Sequence, residues 1–204
     1  MSIPDPDTAS RPKRRRRAPD EARREALVTA RRLLLDSGPD AITLKAVADD
    51  LGVTHANLIH HFGSAAGLQS ALMESMVRDL IDALDAAVAH LRSDAGAPRA
   101  LVDQVFDAFD QGGAGRLAAW IVMSGDLEVL EPVRAAVHDL VEAIYQKFQG
   151  EGEQARHRIT AAVLFIALSA FGDAVIGPPL RDMLGRDKDS ARRMVARLLP
   201  TFLY

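Results

Sequence analysis

The segment Thr54-His55-Ala56-Asn57-Leu58-Ile59-His60-His61-Phe62 concentrates side chains suited to reading another molecule's edge. The Asn57 amide donates and accepts in one plane, so it can hold an adenine edge with two hydrogen bonds. The imidazoles of His55, His60 and His61 can meet base edges or phosphates, and the small Ala56 permits close approach. At about 100° per residue, Leu58, Ile59 and Phe62 share one side of a helix. Ala56, Asn57, His60 and His61 share the other. The pattern fits a helix that buries the first set and offers the second to a duplex groove. It equally fits the solvated face of an ordinary small helix. The three histidines lack an i,i+4 pair and have no carboxylate at ligand spacing, so we expect neither metal nor cofactor. There is no Gly-rich phosphate loop, nucleophile elbow or His-Glu-x-x-His, and we expect no enzymatic activity. The absence of cysteine excludes disulfides, thiolate metal sites and a cysteine nucleophile.

Charge is unevenly placed. The 204-residue chain has a formal net charge of -3. Residues 11–32 nevertheless hold ten basic and three acidic side chains, whereas residues 63–204 hold 14 basic and 19 acidic ones. A basic end on an acidic body points to a polyanionic partner at that end, with nucleic acid the expected one. The run Arg14, Arg15, Arg16, Arg17 lies within residues 1–18, which carry no apolar pattern and read as a flexible basic arm. Met1 to Asp7 has neither an apolar core nor a basic leader, and the apolar stretch Ile159 to Phe171 is shorter than the ~20 residues of a bilayer span. A cytoplasmic, non-membrane protein is the expectation.

The elements that must position Asn57 and its neighbours are helices. Ala22, Ala26, Leu27, Ala30, Leu33 and Leu34 recur at helical spacing from Pro19 until Gly38-Pro39. Thr43 is an N-cap candidate for a short helix 44–51, which Gly52 stops, and Thr54 for a second one, 55–62. Asp49-Asp50 reads as a solvated helix end. Beyond Gly63-Ser64, helices are predicted at 65–91, 99–110, 115–125, 131–149, 153–176 and 189–200, with a break at Gly177-Pro178-Pro179. No alternating run suggests a strand. Two short helices joined at Gly52 behind a longer one have the geometry of a helix-turn-helix unit.

At this point the stretch from Gly38 to Ser64 resembles the DNA-binding domain of TetR-family transcriptional regulators. Gly38, Thr43, Val47-Ala48, Gly52-Val53 and His61-Phe62 stand at the family's spacing. The resemblance covers residues 20–75 closely; the remainder matches in length and helix pattern. It implies an all-α chain with a helix-turn-helix DNA-binding domain over 19–63 and a helical effector-binding and dimerisation domain over 64–204. Carried over residue by residue, Thr43 meets phosphate at a helix N-terminus and Lys45 adds a charge. Thr54, His55, Ala56, Asn57 and His60 face the groove, and His61 supports phosphate or packs. Two positions depart from the family: its usual Tyr is Ile59 and its Lys is Ala65. Both usually contact phosphate, so two backbone contacts are missing, with the Lys13–Arg17 run a compensating contact.

In the body, Phe106, Phe109, Trp120, Met123, Tyr145, Phe148 and Phe165 are candidate walls of an apolar effector pocket, or plain core. Trp120, Met123 and Tyr145 are the preferred lining, with Gln104, Ser124 and Asp126 as polar anchors. Ile159 to Phe171 is apolar nearly all round and must be covered by its own body or by a second copy. The resemblance implies a homodimer through residues 153–176 and 189–204. The expected function is a dimeric, ligand-responsive DNA-binding regulator, a repressor of a near-palindromic operator. The alternatives are an arm-driven, sequence-tolerant DNA-binding protein and a helical small-molecule-binding protein with weakened DNA binding.

Overall fold

The computed structural model describes residues 19–90, 96–125, 130–147 and 152–203. The elements are α1 (Pro19–Ser37), a 3-10 turn (Pro39–Ala41), α2 (Leu44–Leu51), α3 (His55–Phe62) and α4 (Ala65–His90). They continue with α5 (Ala97–Phe109), α6 (Ala114–Ser124), α7 (Glu131–Lys147), α8 (Glu153–Met183), α9 (Ser190–Leu198) and α10 (Pro200–Leu203). Among the described residues there is no strand.

Local chemistry sets the ends of the short helices. Thr43 Oγ1 accepts from the Ala46 N–H at 3.0 Å, and Thr54 Oγ1 accepts from the Asn57 N–H at 3.3 Å. Each threonine satisfies one of the N–H groups that a first helical turn leaves without a partner. Gly52 closes α2 in the left-handed region, with φ of 62°, and lets the chain turn directly into α3.

Two apolar cores share one helix. The first joins Ala30 and Leu34 of α1, Val47 of α2, Leu58 of α3 and Leu68 and Leu72 of α4, and draws in Leu117 and Ile121 from α6. The second joins Leu84 and Val88 of α4 to Val102 and Phe106 of α5, Leu140 of α7, Ile159 and Ile166 of α8 and Val195 of α9. Helix α4 therefore enters both cores at different heights along its 26 residues. Charged side chains fix α9 against α5. Arg99 donates to Asp103 and to Asp189, each at 2.7 Å, and Arg192 reaches Asp107 at 2.7 Å.

Helix α8 corrects the predicted stop at Gly177-Pro178-Pro179: it runs through both prolines to Met183. The prolines remove two backbone donors and crowd the preceding turn. Asp173 and Arg181, which flank the weak point, form an ion pair across it. Gly177 leaves room for that pair, because a Cβ there would lie 2.5 Å from Asp173 Oδ1 and 2.6 Å from Arg181 Nη1. With 31 residues, α8 is long and apolar enough to cross a bilayer by length and composition, unlike the shorter stretch considered from the sequence. Only 22% of its most apolar 18-residue window is buried within the chain. A large apolar surface on this helix is thus left for something else to cover.

Candidate nucleic-acid interface

Helix α3 is held by two anchors. Leu58 is 1% exposed and Phe62 9%, both packed into the first core. The remaining side chains Thr54, His55, Ala56, Asn57, Ile59 and His60 are exposed, and His61 is half-buried. The structure thus brings the hydrogen-bonding residues Thr54, His55, Asn57 and His60 together with Ala56 on the open side of one eight-residue helix. Thr43 and Lys45 are exposed on α2. Both cap hydroxyls accept from the backbone and retain their own O–H as a donor, so capping does not use them up.

Ile59 departs from the helical-wheel expectation. It is 44% exposed rather than buried. The buried arc of a two-turn helix is set by the neighbours that cover it, here α2 and α4, and Ile59 lies outside that arc. The outer surface of α3 therefore carries one large aliphatic group among its polar ones.

Helix α1 braces α3 from behind. Arg23 Nη1 donates to the His61 carbonyl at 3.0 Å, and its guanidinium sits 4.8 Å from the centre of the Phe62 ring. Arg31 pairs with Asp79 of α4 at 2.8 Å, and Arg32 pairs with Asp50 at the end of α2. Asp50 is therefore part of the α1–α2 contact and not merely a solvated helix end. The Asp50 hydrogen bond also holds the Arg32 guanidinium above its usual pKa. Three of the arginines that give residues 11–32 their basic excess thus serve the fold. Arg14, Arg15, Arg16 and Arg17 lie outside the described residues.

The body contains a cavity of about 150 Å³ between α4, α5, α7 and α8. Of the aromatic candidates, Phe109 lines it. Phe106 is 1% exposed in the second core, with Arg192 above its ring, and Phe165 stacks on Phe202 with ring centres 4.6 Å apart. Tyr145 lies under the Arg156 guanidinium at 4.7 Å. The preference for Trp120 and Met123 as lining is not met: they are 40% and 86% exposed on α6. Leu117 and Ile121 take the side of α6 that is buried in the first core. Gln104 is exposed, and Ser124 donates to the Ile121 carbonyl at 2.7 Å. Phe148 and Asp126 lie outside the described residues. Sequence reasoning missed the aliphatic wall of the cavity, including Leu80 and Leu84 of α4 and Ile144 of α7. Aliphatic residues at helical spacing carry no mark that separates a cavity wall from a filled core.

Comparison with known proteins falls on the same helices. Residues 26–72 match the family described as bacterial regulatory proteins, tetR family. The chain is 26% identical over 173 residues to the HTH-type transcriptional activator FasR of Mycolicibacterium smegmatis, spanning 84% of this chain and 78% of that protein. It is 35% identical over 120 residues to the HTH-type transcriptional regulator BetI of Rhizobium meliloti, spanning 56% of this chain and 57% of BetI. In fold it is similar to the multidrug binding protein EbrR complexed with ethidium, with a TM-score of 0.61 at 18% identity over 87% of this chain and 98% of that one. It is also similar to a putative transcriptional regulator from Saccharomonospora viridis in complex with choline, with a TM-score of 0.59 at 19% identity over 89% and 96%. The matched segment begins on the helix that braces α3 and ends on the one that leaves it, so the helix-turn-helix unit carries the likeness to the TetR family, and over most of its length the chain is similar to DNA-binding transcriptional regulators.

Proposed function

We propose that the chain is a homodimeric, ligand-responsive repressor of a near-palindromic operator. The observation that carries the reading is helix α4, whose first half lies in the core behind α3 and whose second half walls the cavity. A ligand that prefers one position of α4 changes the placement of α3 in the same step. It shifts the population only by its difference in affinity between the two states, and a full switch takes about 5.5 kcal/mol.

Operator contact is assigned to Thr54, His55, Ala56, Asn57 and His60 in the major groove, to Thr43, Lys45 and His61 near phosphate, and to the arm Arg14–Arg17 along the backbone. The dimer forms through α8 and α9. Leu168, Ile176, Leu180 and Met194 are between 46% and 61% exposed along a groove between those helices, and a second copy supplies the cover that α8 lacks. Two-fold symmetry then sets two copies of α3 about one DNA turn, 34–36 Å, apart. That EbrR and the Saccharomonospora viridis protein are complexed with ethidium and choline supports a ligand-binding role for the body. We place the protein in the cytoplasm, acting by obstruction of transcription and not as an enzyme.

Fluorescence anisotropy against DNA upstream of its own gene, with scrambled DNA as control at two salt concentrations, tests the reading. A preference of about a thousandfold or more is expected. Asn57→Ala should weaken operator binding by about 1–3 kcal/mol per half-site and relax the preference at one base pair. Equal, salt-sensitive binding to both DNAs would overturn the operator assignment in favour of arm-driven binding.

A further inference from the structure

We infer that the cavity between α4, α5, α7 and α8 takes an uncharged, apolar group, a short alkyl chain or a single ring, and excludes cations. The inference rests on the ligand-responsive reading above and specifies the chemistry of that site. Among the described residues, the sixteen around the cavity are all Ala, Val, Leu, Ile or Phe. Leu80 and Leu84 enter from α4, Phe109 from α5, Ile144 from α7, and Ile159 and Val163 from α8. None of these side chains carries a nitrogen or an oxygen, and the backbone polar groups of those helices are engaged within the helices themselves. A quaternary ammonium or other cation placed there would lose hydration and, among the described residues, meet no carboxylate and a single aromatic face, that of Phe109, so burial costs it more than it gains. An apolar group loses nothing comparable. A space of about 150 Å³ with such walls is large enough for a benzene-sized solute. The ethidium and choline bound by the two structural neighbours are therefore the wrong kind of ligand for this chain.

Isothermal titration of the full-length protein with benzene and with 1-alkanols from butanol to decanol tests this, with choline and ethidium as cationic probes. Affinity should rise about fourfold per added methylene, level off once the chain outgrows the cavity, and show a negative heat-capacity change. Ala167→Phe, which fills the cavity, should abolish binding. Val137→Phe is the second variant: Val137 lies at the rim and is 38% exposed, so its replacement leaves the core packing alone. It should weaken binding of the longer alkanols at least tenfold. Alkanol affinity that is flat in chain length and indifferent to both variants would overturn the inference. So would binding of choline or ethidium that either variant blocks. Alkanol binding that follows the expected series without changing operator affinity would support the chemical class and refute the ligand response.

Discussion

Arg23→Ala probes whether α1 holds the reading helix in place. Arg23 donates to the carbonyl at the end of α3 at 3.0 Å and lies over the Phe62 ring at 4.8 Å. A hydrogen bond from a charged donor contributes about 1.5–3 kcal/mol. A partly exposed cation–π contact adds about 0.5–1 kcal/mol. The two do not add in full, because the His61 carbonyl sits at a helix end where water can replace the lost donor. The net loss is then about 2 kcal/mol. For a chain of this size each kcal/mol moves the midpoint by about 2–4 °C, so thermal unfolding followed by circular dichroism should drop by about 4–8 °C. Operator affinity should fall as α3 loses its brace. The slope of log affinity against log salt should not change, because no phosphate contact has been removed. A phosphate-binding arginine would instead flatten that slope by about 0.9 per contact, or roughly 1.8 for a dimer. A melting point within about 1 °C of wild type, or a slope reduced by that amount, would refute the bracing role.

Two further outcomes are expected. Ala65→Lys places a cation at the first position of α4, beside the Ser64 cap that accepts the Gly67 N–H at 3.0 Å. It should tighten binding to operator and scrambled DNA alike and steepen the salt slope by about 0.9 per added contact, at about 0.3–1 kcal/mol of stability for a cation at a helix N-terminus; an unchanged slope would show that this position does not reach phosphate. Asp189 is held below the usual carboxylate range, chiefly by the Arg99 hydrogen bond. A lowered folded-state value means that its contribution is present above about pH 4 and lost as pH falls through the folded value. Asp189→Asn should therefore melt lower than wild type at pH 7, with the gap narrowing as pH falls below about 4. A gap independent of pH would assign the effect to packing rather than charge.

The reading helix was legible in the sequence because its determinants are local. Thr43, Thr54, Gly52 and the spacing of Leu58 and Phe62 act within one or two turns, through cap hydrogen bonds, a left-handed turn and amphipathic burial. The same locality fixed the family motif. Other features depend on which neighbour arrives, and a residue's own neighbours in the chain do not carry that information. Ile59 is open because α2 and α4 cover a narrower arc than the wheel suggests. Arg31 and Arg32 counted as part of a basic end until Asp79 and Asp50 met them. The prolines of α8 read as a stop, but Asp173 and Arg181 close across them and the helix continues. The sequence alone determined that the chain is helical, where α2 and α3 begin, and which polar side chains share a face. Only the tertiary structure decided which aliphatic residues wall a cavity, because burial is a property of the packed assembly of helices and not of any one of them.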